Sequence, residues 1–81
     1  MSEIGPNADL SFQSFIGQDL SGLDLTGVNF RRAILDGCNF QGSNLAGADF
    51  RKASLVGADL MKCALDGADF RDAKLTKARL N

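Results

Sequence analysis

Large apolar side chains fall on every fifth position of this chain. Leu or Phe recurs from Leu10, Phe15, Leu20 and Leu25 through Phe50, Leu55 and Leu60 to Phe70, Leu75 and Leu80 without a missed beat. Two positions earlier the residue is mostly small, as at Ala33, Cys38, Ser43, Ala48 and Ala53. Two positions later it is mostly Gly, as at Gly17, Gly22, Gly27, Gly37 and Gly47. No straight element tolerates this period. On an α-helix five residues advance the side chain by about 500°, which scatters the Leu/Phe set around the cylinder. On a straight strand an odd step sends successive large residues to opposite faces. The pattern predicts a chain that turns once per repeat. Each unit is then a very short strand and a corner, and every Leu or Phe faces one axis.

The Gly positions supply the corners, because the second central residue of a type II turn needs φ > 0, which Gly adopts without steric cost. Corners without Gly, at Arg32, Lys52, Lys62, Asp72 and Lys77, are expected to turn differently. Arg32, Lys52 and Asp72 lie twenty residues apart and predict one edge whose turns are not type II. Twenty is also the larger period: Phe30, Phe50 and Phe70 are each followed by Arg, at Arg31, Arg51 and Arg71. Four repeats therefore make one coil, and coils stack through parallel backbone hydrogen bonds about 4.8 Å apart.

Segments such as Ala48-Asp49-Phe50-Arg51-Lys52, Ala58-Asp59-Leu60-Met61-Lys62 and Ala68-Asp69-Phe70-Arg71-Asp72 resemble the A(D/N)LXX consensus of the pentapeptide-repeat proteins. The resemblance runs over residues 8–81. It implies an all-β fold, a right-handed quadrilateral parallel β-helix of about four coils of twenty residues, preceded by an extension or cap at residues 1–7. In the first coil Gln13, Gln18 and Leu23 replace the small residue, which predicts a looser or partly plugged end. Phe12 takes a corner position and is expected to fold over that end as a lid. The remaining five Phe residues hold central positions and belong to the core. Cys38 and Cys63 sit at the small inward position as buried fillers, on different faces and too far apart for a relaxed disulfide.

Charge and composition narrow the function. Net charge is −1, so nothing drives the whole chain toward nucleic acid or anionic membrane. There is no His, the commonest general base near neutral pH, and two Cys cannot close a structural zinc site. No run of residues is apolar enough to span a membrane and no signal peptide is visible, so a reducing cytoplasm is expected. No cofactor, metal or catalytic role is expected, because no nucleophile is coupled to a base.

The expected function is a non-catalytic interaction or scaffold module with an unidentified protein partner. One candidate surface is the row Arg31, Arg51 and Arg71 beside Asp9, Asn29, Asp49 and Asp69. Ile16, Ile34 and Val56, with Met61 nearby, form a small apolar patch. The last coil is expected to be uncapped and to mediate homo-oligomers end to end through Leu75, Lys77, Arg79 and Leu80; the resemblance likewise implies C-terminal dimers. It also implies a rival reading. Some pentapeptide-repeat proteins resemble DNA in width and charge and occupy the DNA site of gyrase, giving fluoroquinolone resistance.

Overall fold

A computed structural model describes residues 3–80. Parallel bridges join each outward residue to its counterpart twenty positions on. One ladder runs Asp9, Asn29, Asp49, Asp69; the next runs Ser14, Ile34, Ser54, Lys74. The third runs Asp19, Asn39, Asp59, Arg79 and the fourth Asp24, Asn44, Ala64. Four ladders per twenty residues give four faces, named here by their Phe30, Leu35, Phe40 and Leu45 centres. Each face contributes a single bridging residue per coil, so among the described residues no strand is longer than a bridge.

The five backbone N–H groups of one repeat show what holds a coil in place. In Asp49–Ala53, Phe50 N–H donates to the Asp69 carbonyl (2.8 Å) and Lys52 N–H to the Arg71 carbonyl (3.0 Å), both one coil on. Asp49 N–H donates backward to Val28 (2.9 Å), and Ala53 N–H closes the corner onto Phe50 (3.0 Å). The fifth donor, Arg51 N–H, goes to the side chain of Asp49, whose Oδ1 accepts it at 3.1 Å. The same side-chain bond recurs at Asp9, Asp19, Asp24, Asn29, Asn39, Asn44, Asp59 and Asp69. The Asp/Asn preference before each central residue thus has a local cause: it takes the one amide that the ladder and the corner leave over. On the Leu35 face, where Ser54 holds that position, Asp36 of the preceding coil accepts from Val56 N–H instead (3.1 Å).

The corners differ from expectation. Arg32, Lys52, Lys62, Asp72 and Lys77 have φ of 58, 61, 64, 61 and 60°, in the same left-handed region as the Gly corners. They also close with the same bond from the third residue on, as Ala33 N–H to Phe30 O (3.0 Å) and Ala73 N–H to Phe70 O (3.0 Å). Stacking fixes the corner geometry, and the side chain accepts it at a cost of roughly 1–2 kcal/mol per non-Gly residue. Phe12 bears the same strain, with φ 63°.

Inside, the Leu and Phe columns meet with no solvent between them: Leu25, Phe30, Leu35, Phe40, Leu45, Phe50, Leu55 and Leu60 are fully buried. Phe30, Phe50 and Phe70 stack ring on ring at 5.4 and 4.8 Å, and Phe40 meets Phe30 and Phe50 edge-on at 5.9 and 6.2 Å. Cys38 and Cys63 are buried and not disulfide-bonded. Burial raises both thiols above their ordinary pKa, so they stay protonated and donate to the Phe15 and Phe40 carbonyls. Ser43 does more. Leu23 is too large to enter the core at its small position and is turned out, 37% exposed. The Ser43 hydroxyl fills the gap, accepting from Leu23 N–H (3.0 Å) and donating to Leu20 O (2.6 Å), in place of a direct bond across that corner.

Of the bulky residues at the N-terminal end, Gln18 and Leu23 are turned out and exposed, and only Gln13 is half-buried, while Leu10, Phe15 and Leu20 remain buried. Phe12 is no lid: it projects from its corner, 74% exposed. Gly5–Ala8 forms one more corner, with Asn7 N–H bonded to Thr26 O at 2.8 Å and Asn7 at φ 61°. The Asn7 side chain fills the space where a Gly27 Cβ would stand. Met1 and Ser2, the start of the expected cap, lie outside the described residues.

Ser43→Ala removes the bridging hydroxyl, leaves Leu23 N–H and Leu20 O without it, and is expected to cost about 1–3 kcal/mol. Asn44→Ala frees an amide that water can reach and is expected to cost no more than about 1 kcal/mol. Urea denaturation midpoints of the two variants check the order.

Candidate functional site

The Arg row lies on the Phe30 face because that face places Arg one residue after each Phe. Neighbouring coils bring the row against the carboxylates of the adjacent ladder. Arg51 grips Asp49 of its own repeat through Nε (3.0 Å) and Nη2 (2.8 Å), and Arg71 grips Asp69 the same way (3.0 and 2.7 Å). Longer contacts link the coils: Arg31 Nε to Asp49 at 3.8 Å and Arg51 Nε to Asp69 at 3.7 Å. The result is a zigzag, Arg31–Asp49–Arg51–Asp69–Arg71. Its order follows from Arg and Asp columns stacked in register, and it relieves the repulsion that a bare Asp column would build. Such exposed pairs are individually worth little.

Position 29 breaks the symmetry. Asn29 stands where Asp49 and Asp69 stand in later coils, so Arg31 has no carboxylate in its own repeat and only the 3.8 Å contact across the coil. Beside it the corner edge carries Phe12, Arg32, Lys52 and Asp72, with no Gly on this edge. Arg31, Arg32, Arg51, Lys52, Arg71 and Asp72 line a shallow groove, and a second groove next to it is lined by Ser11, Phe12, Asn29, Arg31 and Arg32. The sequence reading found the Arg row but not Phe12, Arg32 and Lys52 as its neighbours. The usable signal was that only this edge lacks Gly throughout.

At the C-terminal end, Leu80 is 44% exposed and Leu75 half-buried, while Lys77 and Arg79 are exposed. Arg79 reaches down to Asp59 at 3.5 Å. Leu75 and Leu80 make an apolar end with half-buried Leu65 and Phe70, flanked by the two cations, in contrast to Leu10 at the other end, which is 1% exposed. The apolar patch is interrupted: Asp36 sits between Ile16 and Val56 in one column, and Met61 lies on the next face. Among the described residues no cluster is fit to hold a metal ion, and no helix is long and apolar enough to cross a membrane.

A four-faced solenoid of five-residue repeats, filled inside and charged outside, defines a repeat protein whose chemistry is confined to its surface. The chain belongs to the pentapeptide-repeat family: the family's sequence model matches residues 7–42 and 43–81. Among solved structures, it is similar to a pentapeptide repeat protein from the Arabidopsis thaliana thylakoid lumen, with 45% identity and a TM-score of 0.80 over 82% of this chain and 46% of that one. It is also similar to HetL, involved in heterocyst differentiation regulation in the cyanobacterium Nostoc, with 33% identity and a TM-score of 0.72 over 89% of this chain and 36% of that one. QnrB1, a plasmid-mediated fluoroquinolone resistance protein, gives 33% identity and a TM-score of 0.63 over 90% of this chain and 41% of that one. The chain thus spans less than half the length of each of these structures. No curated protein matches it by sequence.

The ladder sets the acid response. Hydrogen bonds from the Arg71 side chain and backbone hold Asp69 down at about 2, against an ordinary 3.8. Asp49 is lowered chiefly by the Arg51 side chain, and Asp9, Asp19 and Asp24 by their Ser or Thr hydroxyls. A depressed folded-state pKa stabilises above the unfolded value and loses that contribution as pH falls through the folded one. Stability should therefore be level between the ordinary carboxylate and thiol ranges and decline as pH drops toward 2. Asp69→Asn should flatten part of that decline in thermal melts recorded across this range.

Proposed function

We propose that the protein is a non-catalytic interaction or scaffold module that engages protein partners through its outer faces and ends. The observation that carries this reading is the filled interior, whose central residues leave no room for an internal ligand. The right-handed winding of the coil, implied by the family, is part of the same reading. Two surfaces are proposed for contact: the Arg31, Arg51 and Arg71 row, and the apolar end at Leu75, Lys77, Arg79 and Leu80, through which we propose the chain pairs with a second copy. A two-fold pairing closes on itself, whereas head-to-tail stacking builds a fibre.

Light scattering at high micromolar concentration tests the pairing. A dimer mass is expected, reverting to monomer when Leu75 and Leu80 are both changed to Asp; a single monomer for the unaltered chain removes the proposal. For the Arg row, immobilised protein with Arg31→Ser, Arg51→Ser and Arg71→Ser should lose a partner that the unaltered chain retains from the source cell's lysate. Unchanged capture by the folded variant refutes that surface.

The likeness to QnrB1 favours a second reading, competition with DNA at a topoisomerase. The surface argues against it, since five cations line the groove on one edge and net charge is only −1. Purified gyrase is expected to supercoil DNA at an unchanged rate in its presence. Inhibition at stoichiometric concentration would restore the second reading.

A further inference from the structure

The interaction-module reading leaves open where a partner is gripped and by what chemistry. Resting on that reading, the geometry points to the edge formed by Phe12, Arg32 and Lys52, together with Arg31, as a docking site for a short acidic segment of a partner protein that carries an apolar side chain at one end. Four observations converge on this edge.

The first is conformational. Each of the other three edges has at least two Gly corners, and this one has none. Its corners take φ of 58–63° at Phe12, Arg32, Lys52 and Asp72. Gly would adopt this conformation with less strain, so these side chains do not serve the corner itself. The second is exposure without a partner. Phe12 is 74% exposed and is in none of the ring contacts that bind the core. Arg32 and Lys52 are exposed, and beyond their backbone bonds to the next coil their side chains have no hydrogen bond or ion pair among the described residues. The third is charge. Asp49 and Asp69 are held by Arg51 and Arg71, and Asn29 replaces the carboxylate that would have held Arg31. Arg31, Arg32 and Lys52 are therefore the cations of this face with capacity to spare.

The fourth is extent. Asp9 and Asp72 bound the basic stretch at its two ends. Coils are about 4.8 Å apart, so Phe12 to Lys52 covers about 10 Å, the reach of about three extended residues. A short peptide fits that length, with its carboxylates on the guanidinium groups and the ammonium and its apolar side chain against Phe12. A nucleic-acid strand or a membrane surface would extend past this run onto the flanking carboxylates.

The test is an amide NMR titration of the isotope-labelled chain with an acetylated peptide of one leucine followed by three glutamates. Saturable shifts are expected at Ser11, Phe12, Arg31, Arg32 and Lys52. Arg32→Ser with Lys52→Ser should weaken binding about tenfold, the loss of roughly two charge contacts. Lys62→Ser with Lys77→Ser, the same charge change on other edges, should leave it within about twofold. Phe12→Gly should abolish the preference for the leucine peptide over one with glycine in its place. The site is overturned if shifts fall elsewhere or do not saturate, or if the Lys62/Lys77 variant weakens binding as much as the Arg32/Lys52 variant. It is also overturned if a thymidine oligonucleotide or phosphatidylserine vesicles perturb this edge more strongly than the peptide. A partner that docks on the apolar end instead refutes this site and leaves the interaction-module reading standing.

Discussion

A five-residue repeat has five backbone donors, and in a repeat such as Asp49–Ala53 each has a destination. Two reach forward to the next coil, one reaches back, one closes the corner, and one is taken by the Asp or Asn side chain of its own repeat. Remove the coil-to-coil bonds and nothing holds a corner at φ near 60°. Remove the corner, and the Leu and Phe columns no longer face one axis. Hydrophobic burial supplies the drive, but the register of the core is set by these bonds, which admit only a displacement of twenty residues.

The same constraint explains the places where residue identity bends to geometry. Arg32, Lys52 and Asp72 accept a left-handed corner because the bonds to the neighbouring coils and across the corner hold it there. Leu23 cannot enter the core and turns out, and a hydroxyl from the next coil completes the corner it leaves open. Asp49 and Asp69 stack as like charges, and the Arg column beside them makes that stacking tolerable.

Much of this was legible in the sequence. The unbroken Leu/Phe beat gave the quarter-turn, the Phe-Arg recurrence gave the coil of twenty, and the small-residue row placed Cys38 and Cys63 inside. What could not be read were effects that depend on stacked neighbours. Treating φ > 0 as a Gly requirement misjudged the Gly-free edge, because the preference of a single residue is outweighed by the ladder. Phe12 was expected from its corner position to fold over the end, yet it stands in solvent. The Asp/Asn position was visible as a consensus, but its role needed the N–H inventory. The Arg row was found, whereas the difference between Arg31 and its two bound companions turns on Asn29, whose neutrality matters only once coils are stacked.

Because every column advances by one whole coil, length is an adjustable dimension of this protein. Excising residues 30–49 would bring Asn29 directly before Phe50 and leave each face with the same kind of residue in the same place. Copying that stretch would do the reverse. Such a molecule can grow or shrink by duplication and loss of single storeys without redesigning its interior, as nearest-neighbour stacking allows. Its outer faces can therefore be spaced to suit a partner's dimensions.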